Sequence, residues 1–283
     1  ADMFELIRQP RPRLVGLDLT RPRIMGIVNV TPDSFSDGGQ LAGAQAAIDQ
    51  ALRLEDEGAD ILDIGGESTR PGSDSVDIDE ERRRVLPVIE ALAGRVEALV
   101  SVDTRKAQMM REAVGAGADI VNDVSALTFD AQALETIADL GVPVVLMHAL
   151  GDPKTMQDNP VYEDVQLDVF DYLEARLEAC VRAGIARDKI IVDPGIGFGK
   201  TLEHNLDLIR GLSLLHGLGV PILFGASRKR FIGTLTGVET AGERVSGSVG
   251  AALAAVAQGA QIVRAHDVMA TRQALQVWCA THG

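Results

Sequence analysis

Three stretches, Gly58-Ala-Asp-Ile-Leu62, Gly117-Ala-Asp-Ile-Val121 and Gly259-Ala-Gln-Ile-Val263, repeat one pattern along the chain. In each, a glycine is placed to end a helix before a short apolar strand begins. These helix-to-strand joints are short, whereas the strand-to-helix joints at 31–43, 68–79, 149–161 and 228–245 are long and rich in Gly, Pro, Asp and Ser. Barrel enzymes build their sites from the loops that follow the strands, so the asymmetry favours a site at the C-terminal face of a (β/α)₈ barrel.

Eight short apolar runs rich in β-branched residues alternate with longer segments whose apolar residues recur every three or four positions, the pattern of an α/β protein. The predicted strands are Arg23–Val30, Asp60–Glu67, Leu99–Asp103, Ile120–Val124, Val144–His148, Ile190–Pro194, Ile222–Ser227 and Ile262–His266. A single TIM barrel takes roughly 250 residues, which suits this chain. We expect one domain over residues 1–283, with residues 1–22 as an N-terminal cap.

Composition narrows the class of protein. The formal net charge of −14 opposes broad contact with a phosphate backbone, so nucleic acid is not an expected partner. No apolar run approaches the roughly 18 residues that a membrane span requires, and no signal peptide is visible, so we expect a soluble cytoplasmic protein without membrane contact. Cys180 and Cys279 have no metal-ligand spacing and are interpreted as reduced thiols.

The predicted strands end in polar residues far more often than packing requires. These are Asn29, Asp63, Asp103, Asn122, His148, Asp193, Ser227 with Lys229, and Arg264 with His266. Any single one could be a structural hydrogen bond or a loop cap. Asp and Asn are disfavoured in strands, however, so their repeated use at these ends predicts a functional site where the eight strands converge.

The polar residues separate by chemistry. Asp103, Asn122 and Asp193 suit a flat heterocycle with alternating donors and acceptors, such as a pterin or a purine. Arg70, Lys229, Arg264 and His266 are cations or donors that suit an anionic, phosphate-bearing group. Asn29, followed by Asp33 and Asp37, offers the hard oxygens that Mg²⁺ shares with such a substrate.

These residues lie in stretches that resemble the dihydropteroate synthase family over nearly the whole chain. The matching stretches are Gly26-Ile-Val-Asn-Val-Thr-Pro-Asp-Ser-Phe-Ser-Asp-Gly-Gly39, Asp63-Ile-Gly-Gly-Glu-Ser-Thr-Arg-Pro-Gly72, Ser101-Val-Asp-Thr104, Asn122-Asp-Val124, Asp193-Pro-Gly-Ile-Gly-Phe-Gly199, Ser227-Arg-Lys229 and Val263-Arg-Ala-His-Asp-Val268. The resemblance implies a transferase of folate synthesis that condenses 6-hydroxymethyl-7,8-dihydropterin pyrophosphate with p-aminobenzoate, giving 7,8-dihydropteroate and pyrophosphate.

The resemblance also implies a role for each matching residue. The pterin would be bound by Asp103, Asn122, Met147, Asp193, Gly225 and Lys229. The pyrophosphate would be bound by Thr69, Arg264 and His266, and Mg²⁺ by Asn29. The p-aminobenzoate site and its loops would include Phe35, Arg70, Pro71, Phe198 and Ser227. The expected catalytic residues are Asp103, Asp193, Lys229, Arg264 and His266. The family further implies a homodimer through the last helices, and the family pattern at Phe35, Thr69 and Pro71 predicts sensitivity to sulfonamides.

The chain departs from the family pattern after the fifth strand, where Ala149-Leu150-Gly151 replaces a common Met-Gln-Gly. Its neighbour His148 is assigned no role, since a strand-end histidine is more often structural than a general base. Gly199-Lys200-Thr201 resembles the end of a P-loop, but Pro194 stands where that motif needs glycine. Two other readings stay open: a pterin-binding methyltransferase domain, which needs no pyrophosphate site, and a non-catalytic pterin-binding barrel.

Overall fold

The fold is a closed barrel of parallel strands in a computed structural model, which describes residues 14–30, 39–68, 75–151 and 156–282. The strands are β1 (Arg23–Asn29), β2 (Ile61–Gly65), β3 (Leu99–Asp103), β4 (Ile120–Asp123), β5 (Val144–Met147), β6 (Ile190–Asp193), β7 (Leu223–Phe224) and β8 (Ile262–Ala265). They pair in the order β6-β5-β4-β3-β2-β1-β8-β7. A parallel bridge between Val192 and Ile222 joins β6 to the start of β7 and closes the ring. The prediction of a single (β/α)₈ TIM barrel is confirmed.

Helices surround the strands. In the described part of the chain they are α1 (Gly39–Glu57), α2 (Ile78–Leu92), α3 (Ala107–Ala116), α4 (Ala133–Leu140), α5 (Val165–Arg182), α6 (Leu202–Arg210), α7 (Arg230–Thr236), α8 (Val245–Ala257) and α9 (Val268–His282). The repeated glycines behave as predicted, since Gly58, Gly117 and Gly259 have φ of +104°, +118° and +90°. An L side chain rarely adopts that backbone conformation, so glycine is what allows each chain turn from helix to strand. Among the residues described, no helix has the length and apolar run that crossing a bilayer requires.

The predicted strand bounds are right for β3 and too long at the C-terminal ends of the other strands. The largest error is at β7, predicted as Ile222–Ser227 and observed as Leu223–Phe224. The strand ends early because the chain turns just after it. In that turn the Lys229 amide donates to the Ala226 carbonyl at 3.3 Å. The polar residues that ended the predicted strands therefore lie partly in the loops that follow.

The barrel interior on the side of the strands' N-terminal ends is filled by an apolar cluster to which every strand contributes. The strand residues are Met25, Ile61, Leu99, Ile120, Val145, Ile191, Leu223 and Ile262. Leu14 and Leu19, which precede β1, are buried against the same cluster. Residues 1–13 lie outside the described part of the chain, so the cap over 1–22 stays a prediction. A filled interior leaves the C-terminal mouth, where the strands end, as the place for a site.

Candidate active site

Strand periodicity explains why polar side chains converge at the mouth. Side chains on a strand alternate in direction, so the residue two positions beyond each member of the apolar inner cluster also points into the barrel. Those residues are Ile27, Asp63, Ser101, Asn122, Met147, Asp193, Gly225 and Arg264. Two positions further again lie Asn29, Asp103, Ser227 and His266. The mouth therefore collects most of the residues that the sequence predicted for the site.

Arg264 links two acidic residues from neighbouring regions of the barrel. Its Nε donates to Asp63 Oδ2 at 2.7 Å, and its Nη2 donates to Asp103 Oδ2 at 3.1 Å. Asn122 Nδ2 donates to the same Asp63 oxygen at 3.0 Å. The other three residues of this network, Asp63, Asp103 and Asn122, are buried. The result is a set of carboxylate, amide and guanidinium groups held in fixed orientation by one another.

Burial changes the protonation of Asp103. Burial and then the neighbouring charge of Asp63 raise the pKa of Asp103 to about 8, against the opposing effect of Arg264. Within the described residues, Oδ1 of Asp103 and Oδ1 of Asp63 have no hydrogen-bond partner. A buried polar atom usually has a partner, so each of these oxygens is suited to a donor on a bound molecule.

Asp193 and Lys229 form a second pair of acidic and basic residues at the mouth. Burial raises the pKa of Asp193, and the nearby Lys229 works against that rise. Burial lowers the pKa of Lys229 to about 8, although Asp193 favours its charged form. A Cβ on Gly225 would lie 3.8 Å from Asp193 Oδ2 and 3.7 Å from Arg264 Cβ. Glycine therefore leaves open space beside both side chains, as a flat ligand requires.

The remaining described site residues lie at the rim. Ser227 Oγ is 2.9 Å from His266 Nδ1, which joins the ends of β7 and β8. The Phe198 ring lies 4.3 Å from Lys229 Nζ in a cation–π contact. Asn29, at the end of β1, is half-buried. The predicted loop residues Phe35, Thr69, Arg70 and Pro71 lie outside the described residues.

The structure adds two contacts that the sequence did not predict. The sequence assigned Arg264 to the pyrophosphate, and in the structure its guanidinium contacts Asp63 and Asp103. Asp63, which was noted as a strand end but given no role, is fully buried at the centre of this network. Its position two residues after Ile61 of the inner cluster is the signal that could have assigned it.

His148 lies away from the mouth. It directly follows Met147, which points inward, so alternation turns the His148 side chain toward the surrounding helices. Its ring packs edge-on against Tyr172 at 4.9 Å, and its Nδ1 is 2.9 Å from Lys200 Nζ. Burial and then Lys200 lower the pKa of His148 to about 3. These contacts match the structural interpretation rather than a general base.

Comparisons with known proteins agree with this geometry. The family model described as a pterin-binding enzyme matches residues 25–266. Dihydropteroate synthase from Neisseria meningitidis serogroup B is 55% identical over 272 residues, covering 93% of each chain. A structure of Xanthomonas albilineans dihydropteroate synthase with 4-aminobenzoic acid superposes with a TM-score of 0.91 at 52% identity, covering 97% of this chain and 98% of that one.

A structure of Yersinia pestis dihydropteroate synthase in a sulfonamide drug complex superposes with a TM-score of 0.89 at 49% identity, covering 94% of this chain and 96% of that one. These likenesses extend over nearly full lengths, so they include the strand ends as well as the barrel. They show a transferase with dihydropteroate synthase function, and the chain belongs to the dihydropteroate synthase family of pterin-binding enzymes.

Proposed function

We propose that the residues at this mouth divide the synthase reaction between a pterin pocket, a pyrophosphate site and an aryl-amine site. One observation carries the proposal: Arg264 lies between Asp63 and Asp103, beside Asn122, just above an apolar inner cluster. This arrangement offers alternating donors and acceptors on an apolar base, which is the chemistry a pterin ring needs.

The pterin pocket comprises Asp103, Asn122, Met147, Asp193, Gly225 and Lys229. The unpartnered Asp103 Oδ1 is available to accept an N–H of the ring. Asp193 and Lys229 offer an acceptor and a donor on the opposite side, while Gly225 leaves room between Asp193 and Arg264. Met147, buried at the end of β5, supplies a polarisable apolar wall.

The pyrophosphate is assigned to Thr69, Arg264 and His266. Arg264 has further N–H donors beyond the two that contact carboxylates, so it can hold a phosphate oxygen while keeping its orientation. His266 is held by Ser227, whose Oγ also accepts the His266 backbone N–H at 3.1 Å. These groups stabilise the negative charge that develops as pyrophosphate departs.

Asn29 fits a Mg²⁺ ion whose other ligands come chiefly from substrate and water. Mg²⁺ prefers oxygen ligands and commonly binds through one or two protein groups plus substrate phosphates. In the described residues there is no cluster of three or more His, Cys, Asp or Glu that could hold a metal. When bound, Mg²⁺ supplies charge neutralisation for the leaving group. Asn29 contributes its carboxamide oxygen at the rim.

The p-aminobenzoate site is assigned to Phe35, Arg70, Pro71, Phe198 and Ser227. Phe198 offers an aromatic face, held next to Lys229. Arg70 is suited to a carboxylate because guanidinium binds carboxylates in a bidentate way. The amine of p-aminobenzoate then reaches the exocyclic methylene carbon of the pterin at the boundary between the two sites.

The reaction replaces a C–O bond to pyrophosphate with a C–N bond to the aryl amine. Because that amine is already a neutral nucleophile, the barrier lies mainly in separating the leaving group, and no strong base is required. Asp103 and Asp193 stabilise positive charge that develops on the pterin. Arg264 and His266 stabilise the departing anion, and the amine loses its proton after the C–N bond forms.

The decisive test is pyrophosphate release from dihydropterin pyrophosphate, measured with and without p-aminobenzoate and with Mg²⁺ present or chelated. We expect release that needs both the aryl amine and the metal. Release that did not depend on the amine would contradict the proposal. Silence with every combination, in protein shown to bind the pterin, would favour a methyltransferase-like or non-catalytic pterin protein.

We also propose a cytoplasmic homodimer. Leu235, Met269 and Val277 are exposed on α7 and α9, and on α8 between them Gly250 and Ala254 leave an exposed small-residue surface. Such a smooth apolar area suits a symmetric contact between two copies. Cys180 and Cys279 are free thiols, in keeping with a reducing compartment. Light scattering that gave a monomer mass at micromolar concentration would contradict the dimer.

A further inference from the structure

The loop from Pro194 to Thr201, between β6 and α6, sets the position of two proposed site residues. Phe198 belongs to this loop, and its ring faces Lys229 Nζ at 4.3 Å. Lys229 Nζ also donates to the carbonyl of Ile196 in the same loop. The backbone conformation of this loop therefore determines both the aromatic wall of the aryl-amine site and the direction of a pterin-pocket lysine.

The glycines of the loop do not by themselves hold that conformation. Gly195, Gly197 and Gly199 have φ of +68°, +82° and +64°. Glycine populates positive and negative φ about equally, so three such residues in five positions leave the free loop many alternative conformations. Side-chain contacts with the loop backbone must therefore help to select this one.

Three carbonyls of the loop accept hydrogen bonds from side chains that touch no proposed substrate. Lys200 Nζ donates to the Phe198 carbonyl at 3.0 Å. Gln157 Nε2 donates to the Gly197 carbonyl at 2.6 Å, and the Tyr162 hydroxyl donates to the Gly199 carbonyl at 2.7 Å. The three accepting carbonyls thus belong to Phe198 and to its two neighbours in the chain.

Lys200 connects the loop to the end of β5. Its side chain is buried, and Nζ lies 2.9 Å from His148 Nδ1 and 3.4 Å from the His148 carbonyl. His148 is neutral at physiological pH because burial, and then Lys200, depress its pKa, so Nδ1 can accept a hydrogen bond. A Cβ on Gly195 would lie 1.8 Å from the His148 carbonyl oxygen, so the loop rests directly on this backbone.

The departure from the family pattern at Leu150 lies at the same contact. A Cβ on Gly199 would lie 2.6 Å from Leu150 Cβ and 3.0 Å from the Leu150 carbonyl. The segment after β5 thus packs against the glycine next to Phe198. His148 and Leu150 form the surface on which the loop sits, and Lys200 joins the loop to His148.

We propose that Lys200 is a positioning residue for p-aminobenzoate: by joining the Phe198 carbonyl to His148 it holds the Phe198 ring against Lys229 and so sets affinity for the aryl amine. This inference rests on the proposed function, which places Phe198 in the p-aminobenzoate site. Lys200 itself contacts neither substrate. Its effect is therefore expected on binding of the amine more than on the chemical step.

The first test is Lys200→Met, which removes the amine and keeps a similar shape. The KM for p-aminobenzoate should rise by about tenfold or more, in line with loss of a buried hydrogen-bond donor that leaves the Phe198 carbonyl without its Lys200 partner. The kcat at saturating amine should stay within about threefold, because Arg264, His266 and Asp103 are untouched. Lys189→Met is the matched control: Lys189 Nζ also donates to a backbone carbonyl, that of Gly141, but at the N-terminal ends of the strands. The KM of the Lys189→Met variant for p-aminobenzoate should not change.

The second test asks whether Lys200 acts through Phe198. In a double-mutant cycle with Phe198→Leu, adding Lys200→Met should raise the KM for p-aminobenzoate much less than it does in the wild type. Additive effects would overturn the proposal. Tyr162→Phe serves if Lys200→Met does not fold: it removes the hydroxyl that holds Gly199 and should raise the same KM, and an unchanged KM there would also overturn it.

These outcomes are separable from the test of function. If wild-type protein releases no pyrophosphate in response to p-aminobenzoate, the proposed function is wrong. If the wild type is active and Lys200→Met lowers kcat without changing the KM for the amine, the function stands and the positioning role is wrong.

Discussion

Arg264 Nε lies 2.7 Å from Asp63 Oδ2, although 201 residues separate the two in the chain. They meet because β8 and β2 both pair with β1, which brings the first and last parts of the barrel together. Both residues sit two positions beyond the apolar inner cluster on their strands, so both point inward. Asp63 is fully buried, and Arg264 is its cationic partner. The ion pair is thus part of the barrel's structure as well as of its mouth.

Replacing Arg264 with glutamine should destabilise the fold. It would leave Asp63 and Asp103 as buried carboxyl groups without a cation, and breaking a buried ion pair costs about 3–5 kcal/mol. We expect a loss of about 3 kcal/mol in the free energy of unfolding by urea. Arg182→Gln, which removes an exposed pair with Glu178, should cost less than about 1 kcal/mol. Equal losses would show that the Arg264 pair contributes no more than a surface one.

Pterin binding should release a proton. With a pKa of about 8, the Asp103 carboxyl holds its proton in most free molecules at pH 7. An N–H of the pterin favours the ionised carboxylate, so binding expels that proton and apparent affinity rises as pH approaches 8. Calorimetry with a neutral pterin at pH 7, in two buffers of different ionisation enthalpy, should detect the release. A binding enthalpy that did not depend on the buffer would refute it.

Asp103→Asn should harm turnover more than binding. Asparagine keeps the shape but carries no negative charge to stabilise a cationic pterin, and losing one such electrostatic group typically lowers kcat by about 100-fold or more. Affinity for a neutral pterin should weaken by less than about tenfold. Asp119→Asn is the control, because Asp119 precedes β4 at the end of the barrel opposite the mouth. It should change neither kcat nor the affinity for the pterin. Equal losses in kcat and affinity would rule out charge stabilisation by Asp103.

Asn29→Ala should raise the Mg²⁺ requirement. The carboxamide oxygen is the proposed protein ligand. Even residues that only hydrogen-bond to a metal ligand affect metal affinity by about 10–100-fold. We therefore expect the Mg²⁺ concentration for half-maximal activity to rise by more than about tenfold, with pterin affinity in the absence of metal unchanged. The measurement is a Mg²⁺ titration of pyrophosphate release, and an unchanged midpoint would remove Asn29 from the metal site.

Sulfonamides should compete with p-aminobenzoate. The prediction follows from the sequence at Phe35, Thr69 and Pro71, and a similar enzyme from Yersinia pestis has been solved in a sulfonamide drug complex. A sulfonamide should raise the KM for p-aminobenzoate and leave kcat unchanged in initial-rate assays. A fall in kcat at constant KM would place the drug elsewhere.

The sequence by itself determined the barrel and the end at which its site lies. Local patterns were sufficient: eight apolar runs, helix-ending glycines such as Gly117, and polar residues such as Asn122 and Asp193 at strand ends. The direction of each strand-end side chain follows from alternation only once the structure shows that Ile61 and Val145 face inward: Asp63 and Met147 then face inward and His148 outward.

Tertiary structure alone decided which of these residues touch. The Arg264 contacts with Asp63 and Asp103 cross most of the chain, and the contacts of Lys200 with His148 depend on how one loop rests on another. Such pairs have no local signature, because side-chain reach and loop conformation depend on closure of the whole ring. The pKa of Asp103 has the same origin, since burial and a neighbouring carboxylate exist only after the barrel has closed.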